Sequence, residues 1–204
     1  MSFIHSSCSI LILLFILSNL FNVEEFLNST SHFTLTDKYN NVLSLTSSIE
    51  SSFGSRLLVD GFFLNNQLTD FSFKPYDEKG RKLKNKPAAG KSPLSSMTPL
   101  IIFDENKNFH LSIGSPGGKA IISYVVKSLI DILYLESKLQ TTIQSANYVK
   151  IRGKTFVEEN SLNKILKNKG FVRSLTSGLA IIKKEDDYLI GVADPRRDGS
   201  VRGN

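Results

Sequence analysis

Four segments of the chain are denser in chemically useful side chains than ordinary connecting loops. They are 64–72 (LNNQLTDFS), 91–99 (KSPLSSMTP), 114–118 (GSPGG) and 193–199 (ADPRRDG), and two shorter runs, Thr30-Ser31-His32 and Ser51-Ser52-Phe53-Gly54, precede them. Gln67 and Asp70, with Glu50 just upstream, offer oxygen acceptors suited to a cation. Ser95 and Ser96 offer hydroxyl donors suited to an anion. The paired glycines Gly117 and Gly118 lack Cβ atoms and can present backbone N–H groups to a closely approaching oxyanion. Each feature has a plainer alternative: Asp70, Ser95 and Ser96 can cap turns, Gly117-Gly118 can be a helix-entry turn, and Thr30 can be a polar residue at a strand entry. A metal centre is not expected, because the chain has one cysteine, Cys8, and three scattered histidines, His5, His32 and His110.

These segments need elements to carry them. The 204 residues are 41% hydrophobic and include 14 Phe and 6 Tyr, enough apolar surface for a folded core and inconsistent with intrinsic disorder. Two runs of alternating polarity, 32–37 and 42–48, flank the polar turn 38–41 and predict a hairpin. The pairs 100–103 with 109–113, and 179–183 with 188–192, predict two more. After GSPGG, the apolar spacing of Ile122, Val125, Val126, Leu129 and Leu133 predicts a helix with that stripe facing the core. A second, basic helix is expected over 161–169, closed by Gly170. Hairpins with helices between them suggest an antiparallel sheet layered with helices, an α+β fold.

Charge is unevenly spread. The formal net charge is +6, yet residues 1–29 hold no Lys or Arg. Segment 77–91 (DEKGRKLKNKPAAGK) holds six basic residues and reads as a solvated linker. No aromatic residues interleave with its charges and no helical face collects them, so nucleic-acid binding is not expected. The run Ile10–Leu17 (ILILLFIL) has the length of a signal-peptide core, ~7–15 residues. The wider apolar window 3–21 approaches the ~20 residues that span a bilayer. No positive charge precedes the run and no small-residue cleavage site follows it. Residues 1–29 are therefore expected to be either an export signal or anchor, or a buried extension, ahead of a domain at 30–204.

Taken in order, the six segments resemble the small, catalytic subunit of gamma-glutamyltranspeptidase over residues 30–204. The resemblance implies the four-layer αββα fold of N-terminal-nucleophile hydrolases, present as its C-terminal half only. It implies self-cleavage after Ser29, which would make Thr30 both nucleophile and new N-terminus, its freed α-amino group serving as base. Ser48 aligns with a family threonine whose hydroxyl lies near the nucleophile. Glu50, Gln67 and Asp70 match positions that hold the substrate ammonium, and Glu50 stands where some members have Asn and others Glu. Ser95 and Ser96 would bind the α-carboxylate, and Gly117 and Gly118 the tetrahedral oxyanion. The implied activity is that of a γ-glutamyltransferase and glutathione hydrolase, passing a γ-glutamyl group to water, an amino acid or a peptide, with no cofactor. Two departures stand out: Ala146-Asn147-Tyr148 replaces a family Ala-Pro-Arg and His-rich stretch after the long helix, and 29 residues stand where family precursors carry a large subunit of several hundred. That large subunit, which supplies half the sandwich and a carboxylate-gripping arginine, is the expected protein partner. The family setting and the apolar run imply an extracytoplasmic or membrane-associated location. The alternatives are a non-catalytic, membrane-tethered remnant of the family and a cephalosporin-acylase-like amidase of the same fold.

Overall fold

The structure, a computed structural model, describes residues 28–159, 161 and 170–203. The chain opens with strands β1 (Asn28–Thr36) and β2 (Val42–Ser51), paired antiparallel, followed by the short ribbon β3 (Leu58–Val59) and β4 (Phe62–Phe63). Strands β5 (Leu100–Phe103) and β6 (Phe109–Gly114) then lead into helices α1 (Ile121–Leu133) and α2 (Leu139–Gln144). Strands β7 (Tyr148–Ile151), β8 (Lys154–Val157) and β9 (Phe171–Val172) form a small mixed sheet, and β10 (Ala180–Glu185) and β11 (Tyr188–Ala193) complete the described elements. The three hairpins fall where alternation placed them. The basic helix expected over 161–169 and the apolar segment 1–27 lie outside the described residues, apart from Ser161.

An aspartate at the head of each of two hairpin turns fixes the register. Asp37 accepts the backbone N–H of Tyr39 and Asn41, at 2.8 and 2.9 Å, and Asp104 accepts that of Asn108 at 2.8 Å. Both turns close through a residue at positive φ, Asn40 and Lys107. Bonds made to the ionised form hold both carboxyls below their usual range, with the Asn41 side chain the largest contribution at Asp37.

Strands β11, β10, β6 and β5 form the central sheet in that order. The β1–β2 hairpin packs across one face of it, α1 and α2 cover the other, and β7 packs against α1. The core lies on the helical side: Leu111, Ile113, Ile181 and Val192 of the sheet meet Ile121, Tyr124 and Val125 of α1, Ile143 of α2 and Val149 of β7. The side toward the hairpin is polar. Thr34 and Ser112 hydroxyls lie 2.5 Å apart, and the His32 imidazole packs where a Cβ on Gly114 would sit, 2.2 Å from its Cε1. Period-two alternation consequently turns Phe33, Leu35, Leu43 and Leu45 outward, exposed. Three of the four layers of an αββα sandwich are thus in place, and the outer face of the hairpin is bare.

Two expectations need correction. Of the stripe predicted to face the core from α1, only Val125 is buried and Leu129 partly so, while Ile122, Val126 and Leu133 are exposed. The buried residues are Ile121, Tyr124, Val125, Lys127, Ser128 and Ile132. The helix is apolar on both sides, so periodicity alone could not choose between them. Segment 77–91 is no linker. Asp77 caps a turn by accepting from Lys79 N and Arg81 N, Tyr76 bridges Lys82, and Ser72 N donates to Asn85 O at 2.8 Å.

Candidate active site

Thr30 is buried within β1, the third residue of the strand rather than its first. Its Oγ1 lies 3.0 Å from Oγ of Ser48, its register partner on β2. Ser48 Oγ also accepts the N–H of Glu50 at 2.9 Å and donates to the carbonyl of Ser29 at 3.4 Å. One serine hydroxyl therefore touches the Thr30 hydroxyl and the carbonyl of the bond preceding it. The pairing shifts there: Asn28 faces Ser51 while Thr30 faces Ser48, leaving an extra residue on β2. Glu50, at φ 71°, takes up this bulge.

Glu50 and Asp70 lie in one electrostatic neighbourhood. The Glu50 carboxylate accepts from Asn66 Nδ2 and Ser51 Oγ, both at 2.5 Å, and Asn66 Oδ1 in turn accepts Ser51 N at 3.0 Å. Asn66 thereby moors the 3-10 turn Gln67–Asp70 to the end of β2. Gln67 donates its amide to Asp70. Partial burial raises the Asp70 carboxyl above its ordinary range, the Gln67 bond opposes this, the negative Glu50 adds to it and Lys119 offsets it. Lys119 follows Gly117-Gly118 directly in the chain. Gly117 has φ 138°, and a Cβ there would stand 2.5 Å from the Tyr124 ring. The position requires glycine on both counts.

Ser95 and Ser96 are joined to this group only indirectly. Ser95 Oγ accepts Met97 N at 3.2 Å, and no bond among the described residues runs from either serine to Thr30, Ser48 or Glu50. Their segment is tied to Asp70 through Asn85. The structure therefore gathers Thr30 with Ser48, and Glu50 with Gln67 and Asp70 through Asn66, and leaves the two serines at the margin.

Two residues were not recognised from sequence. Arg197, from the ADPRRDG segment, donates through Nη1 to the Thr30 carbonyl at 3.3 Å and through Nε to the Thr176 carbonyl at 2.9 Å. Gly178 makes room for it, since a Cβ there would meet Pro116 Cγ at 2.7 Å and Arg197 Cδ at 3.0 Å. Its neighbour Arg196 anchors the segment, pairing with Glu158 at 2.9 and 2.8 Å and donating to the Ile143 carbonyl at 2.7 Å. Asn147, from the departing stretch after the helices, is fully buried and completes this network by giving its N–H to Glu158 and its amide to Ser177. The second residue is Asn85, hidden by the composition of its loop. Thr30, His32, Pro116, Thr176 and Arg197 also line a cleft of about 640 Å³. Of the residues expected from sequence to form the site, Thr30 lines it, and Ser48, Glu50, Gln67, Asp70, Ser95, Ser96, Gly117 and Gly118 do not.

His32, two residues after Thr30, is held neutral. Burial pushes its imidazole down to about 4, Nδ1 sits 2.8 Å from Thr46 Oγ1, and Nε2 is buried without a hydrogen-bond partner among the described residues. The described residues hold no cluster of His, Cys, Asp and Glu fit for a metal ion. No helix among them is long and apolar enough to cross a membrane.

The family model for gamma-glutamyltranspeptidase matches residues 19–203. The glutathione hydrolase proenzyme of Bacillus subtilis is 32% identical over 191 residues, covering 85% of this chain and 30% of that protein. An Arabidopsis thaliana protein named as a candidate inactive glutathione hydrolase is 37% identical over 117 residues, 53% of this chain and 60% of its own. Among solved structures, a gamma-glutamyltranspeptidase variant from Helicobacter pylori superposes with a TM-score of 0.72 at 26% identity, over 82% of this chain and all of the matched one. The chain thus spans about a third of the length of the Bacillus proenzyme and the whole of the Helicobacter chain. With the family model matching most of the chain and the α+β fold shared with a solved member, the chain belongs to the gamma-glutamyltranspeptidase family.

Proposed function

We propose that the chain is the catalytic part of a γ-glutamyltransferase and glutathione hydrolase, with Thr30 as its nucleophile. The observation that carries this is the Ser48 hydroxyl, placed against both Thr30 Oγ1 and the Ser29 carbonyl. In the first step Thr30 Oγ1 attacks the Ser29 carbonyl carbon, and Ser48 hydrogen-bonds to the oxygen that gains charge. The Ser29–Thr30 C–N bond breaks as nitrogen takes up a proton, leaving Ser29 as an ester on Thr30 Oγ1. Water hydrolyses that ester. The released Thr30 α-amino group, with an ordinary pKa of about 7.7–8.0, is then a base beside its own hydroxyl.

The mature site repeats this chemistry on a γ-glutamyl amide such as glutathione. Thr30 Oγ1 attacks the γ-carbonyl, the amine leaves with a proton, and the γ-glutamyl ester passes to water, an amino acid or a peptide. Backbone N–H groups at Gly117 and Gly118 receive the oxyanion. Asp70, with Glu50 and Gln67, holds the α-ammonium, and Ser95 and Ser96 donate to the α-carboxylate. Arg197 fixes the Thr30 peptide plane from behind. The partner is a large subunit. Supporting that are the bare apolar faces, Phe33, Leu35, Leu43 and Leu45 on the hairpin and Ile122, Val126 and Leu133 on α1, which water would otherwise wet. The apolar run Ile10–Leu17 supports an extracytoplasmic or membrane-associated location.

A second reading, an inert family member, is favoured by the Arabidopsis relative's name. Mass spectrometry of the purified protein separates the two. A species beginning at Thr30, together with release of a chromogenic anilide from its γ-glutamyl conjugate when a related large subunit is supplied, supports the enzyme. An intact chain that stays inactive with that subunit supports the inert protein.

A further inference from the structure

We infer that Asn85 is a positioning residue that sets the separation between the ammonium-binding and carboxylate-binding halves of the donor site. The inference rests on the γ-glutamyl reading above for what those halves bind, and on geometry for the rest. Asn85 lies 15 residues after Asp70 and nine before Leu94, and it joins both. Its Nδ2 donates to the Asp70 carbonyl at 2.6 Å, its Oδ1 accepts the N–H of Leu94 at 3.0 Å, and its own carbonyl accepts the N–H of Ser72 at 2.8 Å. A backbone carbonyl can only accept and a backbone N–H can only donate, so the orientation of the amide is forced. One side chain thus spans the segment carrying Gln67 and Asp70 and the segment carrying Ser95 and Ser96, in the manner of a rung between strands that share no backbone ladder of their own.

A γ-glutamyl donor carries its ammonium and carboxylate on one carbon, so the two sets of groups that grip them must be held at one fixed spacing. Neither set is fixed by the sheet: Asp70 ends a single 3-10 turn, and Ser95 and Ser96 lie in a stretch without strand or helix. Leu83, Asn85 and Lys86 are all half-buried, and of the three it is Asn85 whose side chain bonds to both the Asp70 and the Leu94 backbone. Asp cannot replace it. A carboxylate would keep the bond from Leu94 N and set oxygen against the Asp70 carbonyl.

The test is calorimetric titration of the full chain, complexed with a related large subunit, with L-glutamate, glutarate and 4-aminobutyrate. Glutarate lacks the α-ammonium and 4-aminobutyrate lacks the α-carboxylate. The unsubstituted chain should bind L-glutamate more tightly than either. Asn85→Ala and Asn85→Asp should each weaken L-glutamate about tenfold and leave the other two within about twofold, because only a ligand that engages both halves senses their spacing. The melting temperature of each variant is recorded alongside. Equal losses for all three ligands in both variants would mark Asn85 as a general loop anchor and overturn the inference, as would an unchanged L-glutamate affinity. A wild-type chain with no preference for L-glutamate would instead defeat the donor-site assignment itself, and that result is seen before any substitution is made.

Discussion

Acidifying the protein should weaken the strand that carries Thr30, through His32. Its imidazole is neutral in the folded chain, pushed down to about 4 from an ordinary 6.5, chiefly by burial. In the unfolded chain it charges near 6.5, so between pH 6.5 and 4 the unfolded state binds the extra proton and stability falls as pH falls. Above that window both states are neutral and His32 contributes no pH dependence. A depression of this size corresponds to about 3 kcal/mol in full, and to about 2 kcal/mol after allowing for the solvent contact the ring retains. With a urea dependence of about 2 kcal/mol per molar, the unfolding midpoint should drop by about 1 M from this group alone. Carboxylates also titrate across this range, so the comparison is with His32→Gln, which cannot charge. Urea curves at pH 7.5, 5.5 and 4.5 should show the variant losing about 2 kcal/mol less than the wild type across the series, whatever its absolute stability. Parallel losses would refute the reasoning, because they would mean that the charged imidazole is accommodated between β1 and Gly114.

Further expectations concern the chemistry directly. Thr30→Ala should abolish both self-cleavage and turnover, and Thr30→Ser should keep measurable activity, read by mass spectrometry and anilide release. Ser48→Ala should slow self-cleavage by about a hundredfold through loss of the shared hydroxyl, with Ser48→Thr restoring it. Asp70→Asn should raise the KM for a γ-glutamyl donor by the equivalent of about 2–5 kcal/mol in an active complex. For the wild type, donor affinity should fall on acidification with a midpoint above the 3.8 of an ordinary aspartate, since the carboxyl is raised and only its ionised form attracts the ammonium. Gly117→Ala should cost about 3 kcal/mol in urea unfolding, combining backbone strain at φ 138° with the clash against Tyr124.

The parts of this fold legible in sequence are those fixed by neighbours in the chain. Period-two alternation on either side of polar turns sufficed for the hairpins, because strand pairing there is local. The existence of α1 was legible, its buried face was not: Ile121, Ile122, Val125 and Val126 supply apolar side chains all round, and tertiary packing made the choice. Composition misled at 77–91, where lysines and Gly/Pro suggested a free linker although Asp77 Oδ1 closes a turn on two N–H groups within it and the Asn85 amide ties it to Asp70. Among the expected site residues, Thr30 and Gly117 were proposed because they sit in recognisable segments, and Ser48 because it aligns with a family threonine. Arg197 was in view within ADPRRDG, yet its bond to the Thr30 carbonyl joins residues 167 positions apart, and no local pattern encodes such a reach.

The left-handed backbone at Glu50 also restricts what selection can try at that codon. With φ at 71°, β-branched and bulky side chains are strained there, whereas glycine, asparagine and aspartate fit the backbone readily. Glycine would discard the carboxylate, and aspartate would shorten it by a methylene and draw it back from Asn66 and Ser51. Asparagine keeps a polar oxygen on a backbone it favours, at the loss of one negative charge. This position can therefore drift mainly along a Glu–Asn axis, and under the proposed role of Glu50 each step would exchange electrostatic pull on the donor ammonium for conformational ease at the bulge.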